Sequence, residues 1–455
     1  MAHVVILGAG LTGLSTAYHL EKKGFFDYQI FEKDSTIGGL CRSITQDGFT
    51  FDYTGHLIHA SDAYFREFIN QTIGYEALGS IERRSYIYSH ETYTKYPFQM
   101  NLFGLPPHVI SDCIKGFACK KRNSNPKTFY DWVLTNFGAG IADHFFFPFQ
   151  RKIFSYPLKK VTPTWMGRFV PNTSLEKLIA GAIQPPVQSE AIGYNAHFYY
   201  PHAGGINAWV TSIAHKLQNS ILTGFAAQRI DLKKRIIYFA NGESEPFQTL
   251  ISTIPLDIFL THIDEPTNSN LSAAANKLIC NSVVNFNLGI AQENISDKHW
   301  IYFPEAKYPF YRIGFAHNFA RRMAPAGCSS LYGEFSHIKA SPKTIKRKLD
   351  ASISATKDLL KLHSEQIITQ AVIPIKHAYV IYDTWREKYL PKLHAQLSEL
   401  NVFSIGRYGE WKYSSMQEAI LDGKKIADQI AIIPAQRIYE SVDMPTKKTV
   451  YEQTI

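Results

Sequence analysis

Gly8, Gly10 and Gly13 follow the apolar run Val4-Val5-Ile6-Leu7 without a break. That order suits a buried strand turning sharply into a helix. Gly8 permits the turn, Gly10 lets the backbone approach a pyrophosphate, and Gly13 lets the helix lie against the strand. Leu11 and Thr12 fall at the helix N-terminus, where unpaired N–H groups and the helix dipole favour phosphate. Glu32 closes a second expected strand over 28–31, roughly 20 residues past the glycines, where an acid can accept from a ribose hydroxyl. Lys33 comes next. The chemistry this pattern supports is dinucleotide binding. Two further glycine groups accompany it: the doublet Gly38-Gly39 before Leu40, and Gly406-Arg407-Tyr408-Gly409.

Positioning these groups calls for a parallel sheet assembled from distant segments. Strands are expected at 4–7, 28–31, 249–255 and 402–405, with the first helix over 14–23. A last helix starts near Ser415 and is led by Met416. Residues 107–119, 128–137, 140–147 and 174–182 read as helices of an inserted unit. Strand patterns at 85–88, 280–288, 311–319 and 367–375 suggest a second sheet, with a helix over 341–362. The fold class is α/β: a Rossmann-type domain with an inserted helical domain and a second, antiparallel-sheet substrate domain. The expected division is 1–80, 190–275 and 395–435 for the dinucleotide domain and 100–190 for the helical one. Residues 81–99 with 276–394 make the sheet domain, and 436–455 a tail.

At 455 residues the chain is long enough for two or three cores. Hydrophobic content of 45% against 19% charged is that of a globular protein. The net charge of +9 is scattered, and its small clusters, Lys120-Lys121-Arg122 and Lys346-Arg347-Lys348, form no tail or stripe. Nucleic acid is therefore not an expected partner, whereas a positive field suits an anionic substrate. Five cysteines (41, 113, 119, 280 and 328) lack metal-ligand spacing and read as buried thiols in a reducing compartment, with no metal. No apolar stretch approaches membrane-spanning length, and no secretory pattern opens the chain, so a cytoplasmic protein is expected.

The order of Gly38-Gly39-Leu40-Cys41-Arg42-Ser43, then Asp52-Tyr53-Thr54-Gly55-His56, resembles the flavin-binding superfamily. That group includes amine oxidases, protoporphyrinogen oxidases and phytoene desaturases. The resemblance implies FAD rather than NAD, with Gly55, His56, Gly406, Arg407 and Met416 beside it. The middle of the chain is more specific. Tyr96-Pro97-Phe98-Gln99, Lys127-Thr128-Phe129, Gly193-Tyr194-Asn195-Ala196, Pro309-Phe310-Tyr311-Arg312 and Trp411-Lys412-Tyr413 resemble, in this order, the UDP-galactopyranose mutases, above all the longer eukaryotic type.

That resemblance implies a redox-neutral ring contraction of a nucleotide sugar, through an adduct between the reduced flavin N5 and the sugar. FAD would be active when reduced, with NAD(P)H an open candidate for the reductant. A detached diphosphate then needs a permanent cation and hydroxyl donors. The resemblance assigns this to Arg312, Tyr379 and Tyr413. It places Tyr96 and Gln99 at the nucleotide, Asn195 at the substrate, His56 beside the flavin, and Arg168 on a loop reaching the phosphates. The chain departs from the family in three places. Phe154 stands for a tryptophan that supports the substrate, Gln150 for an asparagine, and Arg168 follows Trp165-Met166-Gly167 one residue early.

Two other readings stay open: a flavin oxidoreductase taking hydride from a neutral substrate, and a non-catalytic FAD-binding protein. Whether the chain forms a homo-oligomer is also open.

Overall fold

A computed structural model describes residues 4–121, 125–166, 170–185, 196–264 and 271–432. Its first sheet has five strands, all parallel, in the order Val402–Ser404, Thr249–Ser252, Val4–Leu7, Tyr28–Glu32 and Ile221–Thr223. Val4–Leu7 lies at the centre with all four residues buried. Side chains alternate across a strand. Val4 and Ile6 face the helices Leu11–Lys22 and Met416–Ile432, while Val5 and Leu7 face Leu256–His262 and Thr384–Glu399. The sheet is thus covered on both sides, as parallel sheets require.

Leu11–Lys22 is buried over its first ten residues, so it is a helix enclosed all round rather than one with a single inner face. Met416–Ile432 presses on it: a Cβ at Gly423 would lie 2.7 Å from the Ser15 Cβ, and Ser15 Oγ donates to Ile420 O at 2.7 Å.

The second sheet has seven strands: Ile367–Ile375, Ser282–Ile290, Ser329–His337, Arg312–Gly314, Trp300–Tyr302, Ser85–Ser89 and Thr92–Lys95. All pairs are antiparallel except Trp300–Tyr302 with Ser85–Ser89. Phe286, Leu288, Leu331 and Phe335 pack beneath the helix Pro342–Leu360 on one face. The opposite face carries Asn285, Glu334, Arg312 and Tyr302 in one cross-strand row.

Between the strands lies a helical unit of Pro107–Ala118, Phe129–Ile141, a π turn Ala142–Phe146, Phe147–Phe154 and Leu175–Ile183. Its core is phenylalanine-rich.

Two sequence expectations change here. The strand expected over 311–319 ends at Gly314 and gives way to a 3-10 turn, Ala316–Asn318. The His317 side chain accepts from Ser330 N–H there, replacing the strand ladder. The cysteines are all free, but Cys119 is exposed and only Cys41 and Cys113 are buried.

Candidate functional site: a dinucleotide groove and an arginine–tyrosine cleft

Gly8 and Gly13 take the backbone positions their spacing predicts. A Cβ at Gly13 would sit 2.0 Å from Gly8 O, so only hydrogen lets the helix meet the turn. Gly8 has φ +100°, a region side chains rarely adopt. A Cβ at Gly10 would meet only Gly39 Cα, 3.9 Å away. These two glycines face each other at close range, a Cβ on Gly39 falling 3.4 Å from Gly10 Cα, and no side chain caps the helix that follows Gly10. Gly38 N–H donates to Ala9 O at 2.8 Å, and Arg42 Nε donates to Gly39 O at 2.8 Å, which fixes the doublet over the helix end.

Glu32 is buried and accepts from Ala9 N–H at 2.8 Å and Asp34 N–H at 3.1 Å. A carboxylate has about four acceptor positions, so it retains capacity for a hydroxyl. Lys33 pairs with Asp34 at 2.6 Å on the exposed side. Open glycines, an uncapped helix end and a buried acid fit the pyrophosphate and ribose of a dinucleotide.

Two segments extend the groove. Gly406 opens the helical turn Gly406–Gly409, and a Cβ on it would meet Thr12 Oγ1 at 2.5 Å. Both glycine regions therefore converge on one helix N-terminus. Arg407 donates to Ser414 O at 2.5 Å and Ala378 O at 3.1 Å, beneath the rings of Tyr379, Tyr408 and Tyr413. From the other side comes Thr54-Gly55-His56. The Tyr332 ring lies across Gly314, and its hydroxyl sits where a Cβ on Gly55 would fall, 2.4 Å away. Burial, then Arg407 and Arg312, hold the His56 imidazole down to about 4, so it is neutral at pH 7.

Beside the groove opens a cleft with about 960 Å³ of empty space, part of it facing solvent. Tyr96, Gln99, Phe154, Arg312, Tyr379 and Tyr413 all line it, although they span more than 300 residues of chain. Arg168 and Asn195 lie outside the described residues.

Tyr96 packs on Tyr302 with ring centres 5.5 Å apart, and the Arg83 guanidinium lies 5.0 Å from its ring. Gln99 is 1% exposed and donates to Pro171 O at 2.6 Å. Arg312 Nη2 meets Glu334 Oε1 at 2.5 Å across neighbouring strands. Burial alone would lower the arginine's pKa, but Glu334 together with Tyr332, Tyr379 and Tyr311 outweighs that and raises it well above the usual value.

Among the described residues Arg312 Nε, Glu334 Oε2, Tyr311 Oη and Tyr332 Oη are buried without a hydrogen-bond partner. Such atoms are costly unless something polar meets them. Burial also lifts Tyr379 and Tyr413 above the usual phenol range, so both keep their protons as donors.

Sequence reasoning missed Glu334 and Tyr332. Both sit in Ser329–His337, where Leu331 and Phe335 alternate with Tyr332, Glu334 and Ser336. That period of two was the available signal.

The class this geometry defines is a Rossmann-type dinucleotide-binding protein with a second sheet bearing a cleft. Residues 6–72 match the NAD(P)-binding Rossmann-like domain family. Over nearly its whole length the chain is similar to reduced UDP-galactopyranose mutase: 26% identity, TM-score 0.88, covering 96% of this chain and 99% of that one. Putrescine oxidase bound to putrescine shares the fold at 13% identity and TM-score 0.62, over 94% of this chain and 98% of that one. A stretch of 85 residues is 33% identical to 4,4'-diapophytoene desaturase (4,4'-diaponeurosporene-forming) of Staphylococcus aureus (strain COL). That match spans 19% of this chain and 17% of the desaturase.

Proposed function

We propose that the protein is an FAD-dependent isomerase that interconverts the pyranose and furanose forms of UDP-galactose or a related nucleotide sugar. The observation that carries this reading is the cleft's permanent cation, Arg312, meeting Tyr379 and Tyr413 beside a dinucleotide groove. An arginine and protonated phenols suit a diphosphate that must be held after it leaves.

When bound, reduced FAD supplies a nucleophilic nitrogen to the sugar's anomeric carbon. Arg312 keeps Nη2 on Glu334 and turns its remaining donors to the diphosphate. Tyr379 and Tyr413 donate their hydroxyl protons to the same group. Arg407 spends donors on backbone carbonyls, so it positions those tyrosines and adds charge behind them. Tyr96 and Gln99 flank the nucleotide, and Phe154 supports the sugar. Neutral His56 can accept or donate a hydrogen bond at the groove without adding charge. Arg168 and Asn195 complete the set in this reading, NAD(P)H serves as reductant, and the cytoplasm, in a glycan-building route, is its place. The domain division at residues 80, 100, 190, 275 and 395 is part of the same proposal.

A second reading has its own support. Phe145, Phe146, Phe149 and Phe154 give the cleft an apolar wall that suits a neutral substrate losing hydride to flavin. One experiment separates the two. The purified protein is incubated with UDP-galactofuranose, with and without dithionite, and the products are resolved by chromatography. Conversion to the pyranose only after reduction supports the isomerase. A protein holding reducible FAD that converts nothing favours the oxidoreductase.

A further inference from the structure

We infer that Asn281, a residue outside the cleft, is a positioning residue that sets the spacing of the cleft's walls. The inference rests on the cleft being a nucleotide-sugar site.

Asn281 is 0% exposed and uses both ends of its carboxamide. Its Oδ1 accepts from Tyr379 N–H at 2.8 Å. Its Nδ2 donates to Ile153 O at 2.5 Å and Phe154 O at 3.3 Å. The orientation is fixed by chemistry, because a flipped amide would set donor against donor and acceptor against acceptor. The two carbonyls end the helix Phe147–Phe154, where Ser155 takes φ +50°, closes the last helical bond to Arg151 O and leaves the carbonyls of Ile153 and Phe154 without helical partners. One buried amide therefore caps the helix that delivers Phe154 and ties it to the backbone that delivers Tyr379, a segment the Asn281 main chain also pairs with through Asn281 N–H to Tyr379 O and Ala378 N–H to Asn281 O, both at 3.0 Å.

Side-chain contacts complete the circuit. Phe154 meets Trp165 edge-on at 5.4 Å, Trp165 meets Tyr413 at 5.8 Å, and Tyr413 stacks on Tyr379 at 6.4 Å. The cleft wall is thus a closed ring of four aromatic residues with Asn281 as its hydrogen-bonded link. Aromatic contacts of this kind tolerate sliding, whereas paired hydrogen bonds fix direction and distance. Loss of the amide should let the ring open. Tyr379 would then shift relative to Phe154, and the ligand would bind to a wall of the wrong width.

The test uses the FAD-loaded protein and the variants N281L and N281D. Leucine keeps the volume and removes both functions. Aspartate keeps an acceptor for Tyr379 N–H but, when ionised, turns a second acceptor toward the two carbonyls. UDP is titrated by fluorescence, FAD content is read by absorbance, and acrylamide quenching of Trp165 is isolated by subtracting a W165F background.

N281L is expected to keep its FAD, weaken UDP binding about tenfold or more, raise KM more than it lowers kcat, and make Trp165 easier to quench. N281D should recover toward the parent protein as pH falls, because the protonated acid again donates to Ile153 O. A role confined to fold stability would show that rescue in melting temperature but not in the UDP affinity of protein that is folded at both pH values. Unchanged UDP affinity and unchanged Trp165 quenching in a folded N281L protein would overturn the inference. If N281L does not fold, the absence of pH rescue in N281D overturns it. A parent protein that binds no UDP refutes the proposed function instead, and Trp165 quenching, which needs no ligand, then decides the role of Asn281.

Discussion

Arg312 faces Glu334 across adjacent strands, so its replacement by alanine has two effects at once. The cleft loses its cation, and a buried carboxylate loses its partner at 2.5 Å. Breaking a buried pair from one side costs about 3–5 kcal/mol. R312A is therefore expected to melt earlier and to bind UDP too weakly to measure, by thermal denaturation and calorimetry. R312K should fold better but still bind poorly, since a lysine cannot serve Glu334 and a diphosphate from one planar group. Parent-like UDP binding by R312A would remove the basis of the proposed site.

His56 makes a different prediction. Its pKa falls from 6.5 to about 4 in the fold, so the unfolded chain binds the proton first. Its contribution to stability is present above 6.5 and is lost as pH falls toward 4. The ratio of parent to H56A activity should stay flat from pH 7 upward, because the ring is already neutral there. A step in that ratio above pH 7 would contradict a neutral imidazole. At this scale the motif residues were legible because their types are unusual for their positions. Glu334 and Asn281 were not. A single polar residue among apolar neighbours looks like any strand position until its partner, 22 residues from one and about 100 from the other, is brought beside it.

At the scale of elements, the two glycines of the first turn separate structure from binding. G13A forces a Cβ to 2.0 Å from Gly8 O and should cost roughly 1–3 kcal/mol or more, seen as a lower melting temperature. At Gly10 the nearest protein atom is 3.9 Å from such a Cβ, so G10V should fold yet bind no FAD. A yellow, flavin-loaded G10V protein would argue against a pyrophosphate at that spot.

Asp52 joins three elements. It accepts from Ser43 Oγ at 2.6 Å, Tyr200 Oη at 2.5 Å and Ile206 N–H at 3.2 Å. Burial nevertheless lifts its pKa to about 6, above the unfolded value. The stability this group adds is therefore full below the ordinary carboxyl range and lost as pH rises through 6. Melting temperatures of the parent should fall relative to D52N between pH 4.5 and 7, a difference of about 3 kcal/mol at most. A constant difference would mean that the carboxyl is already ionised at the lower pH.

The strand–glycine–helix unit was readable from sequence because its period and punctuation agree. The strand Ser329–His337 and the helix Thr384–Glu399 were not read. The first has polar side chains on a buried face, and the second has Pro391 inside it.

For the whole molecule, the charge of +9 is the property that reaches furthest. A positive field draws in a diphosphate, and salt screens it over about 10 Å at 0.1 M. KM for the nucleotide sugar should rise several-fold between low and high ionic strength while kcat holds. A KM indifferent to salt would confine electrostatics to the contact residues.

The arrangement of the parallel sheet bears on how the chain is made. Its central strand, Val4–Leu7, is made about 400 residues ahead of the edge strand Val402–Ser404, which pairs with Thr249–Ser252, and of the covering helix Met416–Ile432. At about 5–20 residues per second, the opening helix waits some 20–80 s for its lid. Until then Gly13, Leu14 and Ala17, all buried in the finished molecule, have no C-terminal helix to rest against. Completion of the dinucleotide groove thus waits on the late synthesis of its last wall. A nascent chain stalled before Gly406 should be a client for chaperones and unable to capture flavin.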